Sequence, residues 1–304
     1  MADKVGFVGL GNMGGPMARN LLKAGVPLVV HDLDSRKVQS LSEAGAEVAP
    51  TARAVAQQTT RSICMVETTA QAEAVISGEN GFVHAAQRGH IVICMSTIDP
   101  FKLRELAPEL AERNIALLDA PVSGGTKRAA DGTLSILAGG DKAAFTACQD
   151  LFNAMGGNVF HAGALGSGLA MKLINNMLLH VNTVAVAEAL VMGAKAGLDI
   201  QQLFDVVSVS SGNSWAFQNR GRRMVERNFA PSGTVDISYK DQELETGLAK
   251  QLGVPVLMAN VSQQAYQMAR AAGFNKEEGA AVVKVYEQLS GVTVGLPTKA
   301  RAHE

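Results

Sequence analysis

At 304 residues with 47% hydrophobic side chains, the chain can bury a full core and is long enough for two domains. Its formal charge of -1 sets 27 basic against 28 acidic residues, which leaves no basic surface to attract nucleic acid or an anionic membrane. The three cysteines, Cys64, Cys94 and Cys148, show no C-x-x-C spacing, which argues against a disulfide framework or a zinc site and for a reducing, cytoplasmic setting.

The N-terminal MADKVGFVGLG places charges before a short apolar run that dissolves into glycines, a first strand rather than a signal peptide. MGGPMARNLLKAG then reads as a helix ended by glycine, PLVVHD as a second strand, and SRKVQSLSEAG as a second helix ended the same way. SICMV, HIVICMS, IALLDAPV and TLSILAGG supply further strands, with helical stretches between most of them. Apolar strands alternating with helices predict a mostly parallel sheet covered on both faces, a Rossmann-type doubly wound α/β fold. Beyond about Gly168 the strand signal fades. Residues 169–197 form one long helical pattern, and further helical segments follow at 201–209, 241–252, 256–272 and 277–289. The shift at GALGSG, residues 163–168, predicts a dinucleotide-binding domain over residues 1–165 and an all-helical substrate and oligomerisation domain over 166–304. Lys172, Asn175, Asn176, His180, Asn182 and Glu188 interrupt the long apolar segment, so it reads as a buried core helix and not as a membrane span. The polar tail LPTKARAHE is expected to fray.

Gly9-Leu10-Gly11-Asn12-Met13-Gly14 fits G-x-G-x-x-G in its required setting: a strand before, a helix after, and an acidic residue ending the second strand. Gly9 permits a tight turn, Gly11 lets backbone approach a pyrophosphate, and Gly14 lets helix and strand pack closely. The freed N–H groups of this run, Leu10, Asn12 and Met13 included, then bind the phosphates together with the helix N-terminus. A glycine-rich turn without a ligand is the alternative. Asp32 ends PLVVHD, where a carboxylate accepts ribose hydroxyls and repels a 2′-phosphate; Leu33 follows it, so no arginine waits there for that phosphate and NAD is expected over NADP. Nearby Arg36 weakens that expectation, and Asp34 either shares the ribose or caps the next helix.

Candidate chemistry sits at strand ends and on the long helix. Asp119-Ala120-Pro121-Val122-Ser123-Gly124-Gly125 lies at the end of a strand, where ligands bind in open α/β sheets. Ser123 with Gly124 and Gly125 offers a hydroxyl and accessible N–H groups to a carboxylate; an ordinary turn uses the same residues. Ser96-Thr97 has the same placement and the same two readings. Lys172 and Asn176, at i and i+4, project from one helix face. An amine buried there holds its proton less tightly and can exchange it with a substrate oxygen, which Asn176 would orient. The alternative is a lysine that snorkels to solvent. His180 shares the face, either lining the same cleft or packed as a core histidine. No metal site is expected.

Taken together, VGFVGLGNMGGPMARNL, CMSTIDP, DAPVSGG, GALGSG with KLINN, and YKD resemble the β-hydroxyacid dehydrogenase family, relatives of 3-hydroxyisobutyrate dehydrogenase, over almost the whole chain. The resemblance implies dimers or tetramers, Lys172 as catalytic lysine, Ser123, Gly124 and Asn176 as substrate contacts, and Thr97 and Lys240 as cofactor contacts. Met65-Val66 falls where the family touches the cofactor, but Glu67 departs from the M-L-P or M-L-S pattern there. The run around Trp215 (SGNSWAFQNR) and the late AGF and AVVKV segments resemble the L-threonate dehydrogenase branch; Trp215 either packs in the core or shapes a pocket. The implied activity is hydride transfer between NAD and a small hydroxy acid, an L-threonate-like acid first, with 3-hydroxyisobutyrate or tartronate semialdehyde as alternatives. A non-catalytic dinucleotide reader is the rival, and it has no need of Lys172. Imine reduction with NADPH on the same fold sits poorly with Asp32 and Lys172.

Overall fold

The computed structural model describes residues 3–295, so the LPTKARAHE tail lies outside the described residues. The chain divides into two compact units between Lys172 and Leu173. In the first, strands and helices alternate: β1 (Val5–Val8), α1 (Gly14–Lys23), β2 (Leu28–His31), α2 (Ser35–Ser42), β3 (Glu47–Val48), α3 (Ala52–Gln57), β4 (Arg61–Cys64), α4 (Thr69–Ile76), β5 (Ile91–Cys94), α5 (Pro100–Glu112), β6 (Ala116–Asp119), β7 (Val122–Ser123), α6 (Gly125–Asp131), β8 (Leu134–Gly139), α7 (Lys142–Ala147), α8 (Gln149–Met155) and β9 (Gly156–Gly163). The sheet order β3-β2-β1-β4-β5-β6 is parallel throughout. β8 then pairs antiparallel with β6 and β7, and β9 runs parallel beside β8. This is the doubly wound Rossmann-type sheet with an antiparallel extension.

Helices on both faces explain why β1 and β5 carry no polar side chain and are buried at every position. Alternate side chains feed separate cores. Val5, Phe7, Ile63, Ile93 and Leu118 join Met17 and Leu21 of α1 on one face. Val8, Cys64, Val92, Cys94 and Leu117 join Val55, Ile76 and Leu103 on the other. All three cysteines are buried and free.

The run IALLDAPV does not form one strand. Pro121 has no N–H to give a ladder, so β6 stops at Asp119, and beyond the proline Val122 and Ser123 pair with β8 as β7. Two strands carry no sequence signal. β3 is two exposed residues, and β9 opens on glycines and stays largely accessible. Backbone pairing holds them, not burial of their own side chains.

The long helix α9 (Ser167–Lys195) starts before the division and continues past it. The second unit then adds α10 (Ile200–Ser208), one π-helical turn at Phe217–Gly221, α11 (Arg222–Val225), α12 (Val235–Leu252), α13 (Leu257–Ala271) and α14 (Val283–Ser290). Its core gathers Ala187, Leu190 and Val191 of α9 with Phe204, Tyr266 and Val283. α12 begins six residues before the expected 241. Val235 and Ile237 hide the start, because β-branched residues read as strand; Thr234 caps it by accepting the Ile237 N–H at 3.3 Å. By length and composition α9 could cross a bilayer, yet within the helical unit its polar residues bond to neighbours: Asn176 to Asp241, His180 to Glu245, and Thr183 to the Leu179 carbonyl.

His90, just before β5, is 2% exposed and shares a 3.0 Å hydrogen bond between Nε2 and Ser62 Oγ. Burial lowers its pKa from 6.5 to about 4. Below pH 6.5 the unfolded chain takes up a proton here that the folded chain refuses, so stability is lost as pH falls from 6.5 toward 4. Denaturant titrations should show about 3 kcal/mol more loss across that window in the wild type than in His90→Gln. Equal slopes would rule the assignment out.

Candidate active site

The loop between β1 and α1 carries residues 9–14. Gly9 adopts φ +97°, and a Cβ on it would lie 2.2 Å from the Met65 carbonyl oxygen; a Cβ on Gly14 would lie 1.9 Å from the Gly9 carbonyl oxygen. Only glycine fits either position. A Cβ on Gly11 would meet nothing within 4 Å, so the backbone there is open to a ligand. A cradle tight at both ends and open in the middle fits a dinucleotide pyrophosphate. Leu10, Asn12 and Met13 complete the run, with Leu10 buried and Asn12 exposed.

Asp32, at the end of β2, accepts the Leu10 N–H at 2.6 Å and the Asp34 N–H at 2.8 Å. The carboxylate is thereby fixed beside the glycine loop. Asp34 is the cap of α2, accepting the Arg36 N–H at 3.0 Å, and it holds the Arg36 guanidinium at 3.1 and 3.0 Å. That hydrogen bonding keeps the Asp34 carboxyl below its ordinary pKa. The Arg36 cation near Asp32 is already matched by an acid.

Met65 and Val66 follow β4. The Met65 N–H donates to the Val8 carbonyl at 2.8 Å, and the Val66 N–H donates to Ser96 Oγ at 2.7 Å. Ser96 is fully buried, so its hydroxyl ties two strand ends together, while Thr97 beside it is half-buried. The Glu67 N–H is taken by Gln71 in the capping box of α4. Ser123 closes β7 opposite Ser135, and Gly124 and Gly125 are exposed beyond it.

On α9, Lys172 is 8% exposed, Asn176 5% and His180 3%. Lys172 therefore does not snorkel to solvent. In the helical unit, Asn176 Nδ2 donates to Asp241 Oδ2 at 2.8 Å, and Asp241 Oδ1 meets the Lys240 ammonium at 2.8 Å. One turn along, His180 Nδ1 lies 2.9 Å from Glu245 Oε1, both side chains buried. The His180 ring also stands edge-on to Tyr266, at 5.8 Å between centroids. His180 is a core histidine with a carboxylate partner. Trp215 is 66% exposed, which removes core packing as its role. Sequence reasoning quoted Asp119 within DAPVSGG and Asp241 within YKD without giving either a role, and it passed over Glu245. The available signal was spacing: Asp241 and Glu245 stand four apart, as do Asn176 and His180, which is what facing helix rungs require.

Two family models match the chain. The NAD binding domain of 6-phosphogluconate dehydrogenase matches residues 4–163, and the NAD-binding domain of NADP-dependent 3-hydroxyisobutyrate dehydrogenase matches residues 166–286. The 2-(hydroxymethyl)glutarate dehydrogenase of Eubacterium barkeri is 36% identical over 292 residues, 96% of this chain and 97% of that one. The L-threonate dehydrogenase of Escherichia coli K12 is 36% identical over 292 residues, 95% and 96% of the two chains. A crystal structure of 3-hydroxyisobutyrate dehydrogenase from Salmonella typhimurium superposes with a TM-score of 0.83 at 35% identity, covering 93% of this chain and 99% of that one. The chain belongs to the β-hydroxyacid dehydrogenase family. With that family it is an NAD-dependent oxidoreductase acting on the CH–OH group of a hydroxy acid.

Proposed function

We propose that Lys172 is the proton-transfer group of this dehydrogenase and that residues 123–125 hold the substrate carboxylate. The observation that carries the reading is the burial of Lys172, a strongly hydrated cation on a flexible stem. NAD, when bound, supplies the hydride acceptor. Lys172 in its neutral form takes the hydroxyl proton during oxidation, and its ammonium form returns that proton during reduction. Ser123 Oγ and the N–H groups of Gly124 and Gly125 donate to the carboxylate. Asp241 orients the Asn176 amide, Thr97, Met65 and Val66 serve the cofactor beside the 9–14 loop, and the family resemblance makes Lys240 a further cofactor contact.

L-threonate is the finer substrate reading, supported by the E. coli relative and by the exposed Trp215 segment. The Salmonella structure favours 3-hydroxyisobutyrate as the second. Assaying both acids with NAD by NADH absorbance separates them. The dinucleotide-binding role belongs to the sheet-bearing unit. The buried free thiols suit a reducing cytoplasm.

Lys172→Ala should lower kcat about 10²–10⁴-fold while NADH titration is unchanged, and Lys172→Arg should not restore turnover because guanidinium keeps its proton near neutral pH. A dinucleotide reader would show no effect on turnover because it has none; full turnover in Lys172→Ala would remove the lysine from the mechanism.

Asp32, fixed by two N–H groups, and Arg36, held by Asp34, support NAD over NADP. The expected result is a higher kcat/KM with NAD, narrowed by Asp32→Ser; a higher value with NADP in the wild type would refute it.

Ile174, Leu178 and Met192 of α9 and Leu257, Met258 and Val261 of α13 are exposed apolar side chains, which a second copy of the chain would cover. Light scattering at micromolar concentration should report a dimer or tetramer. A monomer would contradict this.

A further inference from the structure

Asp119 is a buried carboxylate that the mechanism above leaves unused. It ends β6, four residues before Ser123, and is fully buried. Oδ1 accepts the Gly166 N–H at 2.7 Å and Oδ2 accepts the Leu169 N–H at 2.7 Å. Those N–H groups flank the start of α9, where helix geometry leaves donors without intrahelical partners. A carboxylate aimed at them is doubly matched, by hydrogen bonds and by the positive end of the helix dipole.

The surroundings are shaped around the carboxylate. A Cβ on Gly139 would lie 2.4 Å from Asp119 Oδ1, and one on Gly168 would lie 2.9 Å from Oδ2 and 1.9 Å from the Leu137 carbonyl oxygen. Two glycines thus clear the space in which sheet and helix start meet the acid. Burial pushes the Asp119 carboxyl above its ordinary pKa, while the Gly166 and Leu169 N–H groups and the Arg104 charge pull it down. Arg104 also donates from Nε to the Leu165 carbonyl at 2.8 Å, pinning the approach to α9 from α5. Cys94 is the register partner of Asp119 on β5.

A neutral side chain would be easier to bury here than a carboxylate. What the charge adds is geometric: it joins the strand that leads to Ser123 to the helical turn that leads to Lys172, three residues past Leu169. We infer that Asp119 is a positioning residue for the reaction, fixing the helix start that carries Lys172 to the strand end that carries residues 123–125. The inference rests on the proposed roles of Lys172 and Ser123.

The test is Asp119→Asn, which keeps the volume but turns an amide nitrogen toward one of the two donors. Misplacing a reacting group by about 1 Å can lower turnover about 10²-fold, so kcat should fall about 10–100-fold. NADH affinity and the KM for the hydroxy acid should stay at their wild-type values. NADH binding also reports that the sheet-bearing unit has folded; if the variant does not bind NADH, Asp119→Ser replaces it under the same criteria. Wild-type kcat in a folded variant, or a change confined to KM, overturns the inference. Lys172→Ala in the same assay separates the two failures. If Lys172→Ala loses turnover and Asp119→Asn does not, only the positioning role falls; if Lys172→Ala keeps turnover, the mechanism beneath it falls first.

Discussion

A parallel strand that stops at the sheet edge leaves backbone N–H groups in the next loop without ladder partners, and in this fold the side chains at strand ends take them up. Asp32, ending β2's run, accepts from Leu10 after β1. Ser96, after β5, accepts from Val66 after β4. Asp119, ending β6, accepts from Gly166 and Leu169 at the head of α9. Each bond crosses from one strand's end to another segment's start. The edge that must receive a ligand is therefore stapled by polar side chains before any ligand arrives, and buried polar atoms demand such partners. The loops at this edge are held while Gly11 stays open and Gly124 and Gly125 stay exposed, which suits the edge to the proposed site.

How much of this the sequence discloses depends on which force holds each piece. The central strands are legible because burial on both faces makes β1 and β5 apolar throughout, and the glycine loop is legible because its turn excludes every other residue at Gly9 and Gly14. β9 is not legible, since pairing with β8 holds it and GGNVFHAG buries little. The split of IALLDAPV turns on the missing N–H of Pro121, and the early start of α12 on a threonine cap that outweighs β-branched neighbours. Lys172 and Asn176 are legible as a pair on one helix face, but their partners are not. Asp241 lies 65 residues from Asn176 in sequence, and only the packing of α9 against α12 brings amide and carboxylate to 2.8 Å.

The helical unit poses a different physical question, because its facing helices meet through polar rungs where leucine would suffice. Asn176 with Asp241, then His180 with Glu245, stack one turn apart along the interface of α9 and α12. Burying charged or hydrogen-bonded pairs gains little over well-packed apolar residues of the same size, and often less than nothing. Stability alone therefore does not account for them. Register does: apolar side chains tolerate a slide or a small rotation of one helix on the other, whereas an amide matched to a carboxylate does not. The rungs follow Lys172 on the same face, at the spacing of one helical turn and then the next. The proposed role of Lys172 requires it to meet a substrate oxygen to within a fraction of an ångström, and a helix interface that permits only one register suits that role despite its modest loss in packing. The same logic separates the two kinds of carboxylate in the chain. Asp34 is half-buried, caps α2 and holds Arg36 at the surface, whereas Asp119 and Asp241 are buried, doubly bonded and placed one step behind the residues proposed to touch substrate.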